Sequence, residues 1–527
     1  MKGNNTMRKF FKVTGLILLT AVIILLIVFY SNLRDKHPRY KADMKIISSD
    51  SSVLKAGFAA VTITPEVPDR WTDVNNNARY STKEGDSYSD GNGNGRFDPV
   101  WIAGFGNRRA ANGIHDDLWA TTMVIDDRKT RIAIVALDAI GFMNNEVIEV
   151  RKQLPAEAGI TYAIIASTHT HEGPDMLGLW GPSYFKSGID TKYIDYVKSR
   201  IIWSITKAVE DLRPVRLEVS EDLTGAAGLV KDTREPEVFD SGLRVIRVVD
   251  SRNGTTAGSL VSWADHPETL WGKNLQITSD FPHYVREGVS NGIFSGDSLI
   301  KPGIGGITLY LNGAIGGLMT THPSLAVKNP ITGMEYSEPS FEKAEAQGIQ
   351  LATLALKMCD NPQKIIEKAG INLITRTLTM PIDNKLFRLG AAIGIIKSGT
   401  AGWMKMRTEI SAFTIGPLSF ATFPGEVYPE IINGGIESRN EGDYYGESTA
   451  LQPIREMMPG RFRFVIGLAN DEIGYIIPRS QWDVKEPFAY GRKKAQYGEE
   501  NSLGPITAEL LHKNMTEIIS ELKTSGK

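Results

Sequence analysis

Residues 13–30 form an uncharged run of Leu, Ile, Val, Phe and small residues, preceded by Lys2, Arg8, Lys9 and Lys12. A helix of that length just spans a hydrocarbon core of ~30 Å. The basic flank predicts that residues 1–12 remain in the cytoplasm as a short tail while everything after the run is exported. A cleavable signal peptide is the rival reading. The run ends in Val28-Phe29-Tyr30-Ser31-Asn32-Leu33, without an Ala-x-Ala-like site, and no cysteine follows to carry a lipoprotein anchor. The expectation is a single-pass anchor at 13–30 in the cell membrane, a charged, Ser-rich linker at 31–52 and one large extracytoplasmic domain at 53–527.

A chain of 527 residues can bury one large core or two moderate ones. The formal charge of −2 carries no nucleic-acid signal. Cys359 is the sole cysteine, which excludes an intrachain disulfide and a thiolate zinc cluster.

Behind the linker, residues 54–65 read as a strand stopped by Pro65, and residues 118–126 and 130–138 as a hairpin. Helices are predicted at 140–153, 191–212, 341–358 and 506–522, with apolar residues at helical spacing in the longer ones. Strands are expected at 215–219, 243–249, 258–263 and 371–380, and a second hairpin at 410–415 and 418–423 around Gly416-Pro417. Helices and strands mix without a strict βαβ rhythm, and no internal repeat is read. The fold class is therefore α/β, with layered mixed β-sheets and flanking helices.

A polar insertion occupies residues 69–98. Within it Asp90, Asn92, Asn94, Arg96 and Asp98 alternate, with Gly95 at the sixth position, like the front of an EF-hand loop. Calcium is the expected structural ligand, with Arg96 offering its carbonyl. Trp101 stands at the twelfth position, and an Asn-Gly turn cluster is the alternative.

Ala163-Ile164-Ile165-Ala166-Ser167-Thr168-His169-Thr170-His171-Glu172-Gly173-Pro174 is an apolar strand running into two histidines, an acid and a Gly-Pro breaker. Alternation would aim His169 and His171 the same way if the strand persists that far. Residues 260–267 repeat the syntax at His266, and Phe423-Pro424-Gly425-Glu426 does so for a carboxylate. Zinc accepts imidazole and carboxylate and keeps a position for water in catalytic sites.

These residues resemble the neutral (non-lysosomal) ceramidase family in its catalytic N-terminal domain. The resemblance is carried by Gly113-Ile114-His115, the Leu137-Asp138 strand end, Ser167 to Pro174, Trp263-Ala264-Asp265-His266, Phe423 to Glu426 and Gly467-Leu468-Ala469-Asn470-Asp471-Glu472-Ile473-Gly474-Tyr475. It implies an α/β domain with one zinc, held by His169, His266, Glu426 and Tyr475, and cleavage of a lipid amide bond. His171 would handle protons beside the metal, with His115 as a further catalytic candidate. The family has a serine in a loop that reads Asn312-Gly313-Ala314-Ile315-Gly316-Gly317-Leu318-Met319 here. Met319 occupies the serine position, and a thioether neither attacks a carbonyl nor donates a hydrogen bond. Thr320 and Thr321 supply hydroxyls nearby.

The leading expectation is a membrane-anchored zinc hydrolase acting on a small-molecule or lipid amide, or an ester, without nucleic-acid partners. The alternative is a non-catalytic zinc-containing cell-surface binding protein. A metal-dependent phosphoesterase is less supported, because such sites pair metals through several carboxylates.

Overall fold

The computed structural model describes residues 2–48, 51–319, 324–437 and 451–525. Thr320, Thr321 and His322 lie outside the described residues. Nine strands form the larger sheet. Eight follow one path: Ile307–Asn312, Thr256–Trp263, Leu243–Asp250, Arg213–Asp222, Lys55–Thr62, Trp119–Asp126, Arg131–Leu137 and Tyr162–Ser167, with Lys364–Ile366 added against Arg213–Asp222. Its two ends are parallel pairs and its middle is antiparallel. The smaller sheet runs Met44–Ile46, Ile371–Pro381, Lys405–Ile415, Leu418–Thr422 and Phe462–Ile466.

The two sheets pack face to face. Ile132, Ile134 and Ala136 of the larger sheet share one core with Phe413, Phe420 and Phe464 of the smaller, while Ala133, Val135 and Leu137 face the other way. Period-two alternation with both faces buried explains why these strands read as nearly continuous apolar runs. Phe413 stacks on Phe420 at 4.4 Å between ring centroids, and Phe420 on Phe464 at 4.8 Å.

Helices cover the outer faces. α1 (Lys2–Leu33) is exposed along its apolar length and meets the domain at its C-terminal end, and α2 (Asn144–Gln153) and α3 (Thr191–Glu210) lie on one half of the larger sheet. α4 (Phe281–Ser290) and α5 (Phe341–Asp360) lie on the other half. The closing helix Thr507–Ser525 covers the smaller sheet, and α6 (Lys385–Ala392) is a short helix at its edge. α3 sits so close to the first long strand that a Cβ on Gly57 would lie 2.0 Å from the Ala208 carbonyl oxygen. Only glycine fits there.

The layered α/β class read from the sequence is the observed one. α4, α6 and the strands Ile307–Asn312 and Phe462–Ile466 were not anticipated: the two helices run ten and eight residues, too short for a decisive helical period. Residues 31–48 lie closer to the domain than a linker implies. His37 and Ala42 are buried, and Met44–Ile46 pairs with Ile371–Pro381.

One buried ion pair ties the layers together. Arg151 of α2 reaches across to Glu409 of the smaller sheet with bonds of 2.6 and 2.9 Å, and Tyr162 of the larger sheet donates to the same carboxylate at 2.8 Å. Removing one partner leaves a buried charge uncompensated, which costs about 3–5 kcal/mol. Arg151→Ala should lower the denaturant midpoint accordingly, and Arg151→Met combined with Glu409→Leu should recover much of the loss. Equal midpoints for wild type and Arg151→Ala would contradict this account.

Candidate metal centre

The strand that precedes His169 ends at Ser167. Strand alternation therefore does not aim the two histidines, as the sequence led us to expect. Instead the Thr168 and His169 amides donate to the carbonyls of Leu137 and Ala139 at 2.8 and 2.9 Å, and His169 adopts a left-handed backbone with φ +70°. That conformation is unfavourable for a non-glycine residue and persists only where surrounding bonds impose it. Past this turn, the His171 amide donates to the Pro267 carbonyl at 3.0 Å.

His266 follows its own strand by three residues. Its Nδ1 faces the Leu318 carbonyl at 2.8 Å, and His169 Nδ1 faces the Ile140 carbonyl. A carbonyl only accepts, which assigns the proton to Nδ1 in both rings and turns each Nε2 inward. From the loops that follow Leu418–Thr422 and Phe462–Ile466 of the smaller sheet come Glu426 and Tyr475, directly opposite each other in a separate, short parallel pair. Glu426 Oε2 lies 2.8 Å from His266 Nε2 and 3.6 Å from His169 Nε2, while the Tyr475 hydroxyl lies 3.3 Å from His266 Nε2. All four side chains are buried.

His171 completes the group. Ligand nitrogens of His169, His171 and His266 lie within 4.8 Å of one another. Neither ring nitrogen of His171 makes a hydrogen bond, although Nδ1 stands 3.2 Å from Glu268 Oε2. Burial, followed by His169, His266 and Arg109, holds its pKa well below the usual imidazole range, so the ring is neutral at pH 7. Inward nitrogens of His169 and His266, a carboxylate and a phenol oxygen are the donor chemistry of a zinc-type ion, with the neutral His171 ring beside them. Burial opposes ionisation of Glu426, but the charge and N–H bonds that His169 and His266 offer when Nε2 also carries a proton outweigh it and hold the carboxyl at about 2; a bound cation would take the place of those protons.

The surroundings fix these side chains. Gly104, at φ +108°, leaves room for the His171 ring, which a Cβ there would meet at 2.6 Å. Arg109 donates to the carbonyls of Ala103 and His171 and sits 3.4 Å from Glu172. Burial lifts Glu172 to about 8 despite Arg109. Glu472 is pushed well above the carboxylate range by burial and then by Glu426. Glu268 and Glu472 received no role from the sequence, although each sits in a quoted or adjoining motif.

A cavity of about 680 Å³ opens from this floor. His169, His171, Glu426, Glu472 and Tyr475 form the polar end, and Phe105, Leu177, Trp180, Phe387, Ile396 and Met406 belong to an apolar wall. Such a vessel fits a ligand with a long apolar part and one polar group near the histidines.

Other expected residues lie elsewhere. His115 is exposed, pairs with Asp116 at 2.9 Å and stacks on Phe341, and it does not line the cavity. Met319 bridges to the His266 backbone, and the Thr233 hydroxyl points at its sulfur at 3.5 Å.

In the insertion, Asp90 accepts from the amides of Gly93, Asn94 and Gly95, while Asn92 and Asn94 donate to Asp98 and Arg96 pairs with Asp98 at 2.9 Å. The preceding stretch has the same form, contrary to the absence of a repeat in our sequence reading. Asp73 accepts from Asn77 and Ala78, and Asn75 and Asn77 donate to Glu84. Strands Arg70–Thr72 and Ser87–Ser89 pair antiparallel about Trp71 and Tyr88. Asp69 then holds the amides of Gly91 and Asp98, and Asp86 those of Val74 and Ser81.

No family model matches the sequence. Among solved structures, the neutral ceramidase from Pseudomonas aeruginosa is similar with a TM-score of 0.63 and 16% identity, over 90% of this chain and 75% of that one. A structure of a ceramidase complexed with C2 is similar with a TM-score of 0.61, also at 16% identity, over 90% of this chain and 76% of that one. The chain therefore has a ceramidase-like fold.

Proposed function

We propose that the chain is a membrane-anchored, extracytoplasmic zinc-dependent hydrolase that cleaves an amide or ester bond in a lipid-like substrate. The observation that carries this reading is the inward convergence of His169, His266, Glu426 and Tyr475 at the floor of an apolar cavity. The ceramidases that share the fold support the substrate class. The 27-residue helical stretch Met7–Leu33, whose most apolar 18-residue window has a mean hydropathy of 2.8, fits a membrane anchor or a signal sequence, and we favour the anchor.

His169, His266, Glu426 and Tyr475 would hold the ion, which supplies polarisation of a carbonyl and a water of lowered pKa. The chain's own contribution is positional. Backbone carbonyls of Ile140 and Leu318 lock the two imidazoles. Neutral His171, beside the cluster and without a hydrogen bond, is free to take a proton and return it to a leaving group. Glu268, 3.2 Å from its Nδ1, orients the ring. The apolar wall keeps bulk water from the acyl part of the substrate. Met319 favours the second reading, a non-catalytic surface protein that keeps the ion and binds a lipid.

Metal analysis of purified variants separates these ideas. His169→Ala, His266→Ala and Glu426→Ala should lose zinc, Tyr475→Phe should weaken it less, and His171→Ala should keep it while slowing turnover about 10²–10⁴-fold. Stoichiometric zinc in both His169→Ala and His266→Ala would sink the assignment. Metal-loaded protein that is inert across amide and ester substrates would favour the binding reading.

For the insertion we propose calcium at Asp90, Asn92, Asn94, Asp98 and the Arg96 carbonyl. Removing calcium should speed proteolysis within residues 69–98 and leave zinc in place. A cleavage rate unchanged across a calcium titration would remove the proposal.

A further inference from the structure

We infer that the mouth of the cavity is seated on the bilayer entered by α1, so that a lipid passes from membrane to cavity without crossing water. This rests on the anchor reading of the proposed function. α6 and the residues that follow it have two sides. Phe387, Ile395 and Ile396 wall the cavity. The same segment also receives the end of α1: Asn32 Nδ2 donates to the Ala392 carbonyl at 2.9 Å, Thr400 Oγ1 to the Leu33 carbonyl, and Lys36 Nζ to the Lys397 carbonyl. Just beyond, Arg407 grips both oxygens of Asp35, at 2.9 and 2.5 Å. The helix end is thus bonded to the wall of the cavity, and no flexible spacer separates them.

The rim itself is apolar and uncovered. Leu386, Leu389 and Ile393 are 64%, 50% and 44% exposed, and across the mouth Tyr184 and Phe185 are 83% and 78% exposed. All five line the cavity opening. Trp403 adds a sixth exposed side chain nearby in sequence, at 76%. A contiguous apolar rim in water is costly and marks an interaction surface. The occupant follows from the neighbour: the apolar window of α1 is wholly exposed and needs lipid around it, and its end is fixed to this rim. Trp and Tyr side chains suit the headgroup level at which such a rim would lie. A second protein chain would have to share this place with the bilayer.

The test uses the full chain in phospholipid vesicles. Cys359, the sole native cysteine, is buried, so a thiol-reactive, polarity-sensitive fluorophore can be placed at Leu389→Cys, at Trp403→Cys, or at the control Ile365→Cys. Ile365 is exposed on a strand of the larger sheet. Flotation of the same vesicles reports the anchor separately. For side chains seated about 5–10 Å into the interface, the two rim labels should shift to the blue and lose roughly half their emission to nitroxide-bearing lipids, while the control is unchanged. If the protein floats but the rim labels are quenched no more than the control, the anchor stands and this inference falls. A blue shift without lipid quenching would mean that a protein covers the rim, and would overturn it too. Protein that does not float would overturn the anchor reading, and this inference with it. Trp403 lies outside the cavity lining, so its variant carries the test if Leu389→Cys fails to fold.

Discussion

The structure depends on one clamp between its sheets. Asn470, in the loop after Phe462–Ile466, accepts the Ile165 amide on its side-chain oxygen at 2.8 Å, and its own backbone amide donates to the Ile165 carbonyl at 2.7 Å. Its side-chain nitrogen donates to the Tyr162 hydroxyl at 3.1 Å, and that hydroxyl donates to Glu409, which Arg151 holds. An edge strand of the larger sheet is therefore bonded to a loop of the smaller one as if it were a further strand. Buried polar groups in a continuous network of this kind specify one arrangement of the layers, because any slip would strand several of them unpaired.

The candidate centre is a consequence of that arrangement. His169 and His266 come from the larger sheet, while Glu426 and Tyr475 come from loops of the smaller one. Asn312 secures the seam from the other side, donating to the Thr168 carbonyl at 2.6 Å and accepting the Gly467 amide at 3.0 Å. Neither sheet alone would present more than two of the four groups. Burial then sets the electrostatics. Asp265 and Glu472 are driven well above the usual carboxylate range by burial, which favours their neutral forms, whereas protonated His169 and His266 keep Glu426 charged. One carboxylate among inward imidazole lone pairs is an arrangement that a cation stabilises more than protons do.

Much of this was legible in the chain, for reasons that differ by residue. The long strands announced themselves because both faces are buried, and the residues brought together at the centre sat at breaks between an apolar run and a polar loop. What one sequence could not show was which strand end meets which, since that depends on the inter-sheet clamp. The left-handed turn at His169 was invisible because histidine carries no signature for it. His115 shares its motif with strand ends near the centre, yet its side chain turns outward to Asp116 and Phe341. The short helix α6 was hidden because its apolar residues serve a cavity and an open rim, with little of the packed core that a helical period normally reports.

The insertion shows a different limit. Its two halves match in chemistry more than in identity: Asp69 with Asp86, Trp71 with Tyr88, Asp73 with Asp90, Asn75 with Asn92, Asn77 with Asn94, Arg79 with Arg96, and Tyr80 with Phe97. The match breaks at Ser81 and Asp98, and the second half bonds its asparagines to Asp98 where the first uses Glu84. Ala78, at φ +57°, occupies the backbone state that Gly95 takes at φ +81°. A glycine signature alone therefore misses the first loop. The crossed grip of Asp69 and Asp86, each on the opposite loop, makes the halves interdependent. Such a pair orders a polar stretch that has few apolar side chains of its own to bury, through reciprocal hydrogen bonds to the backbone.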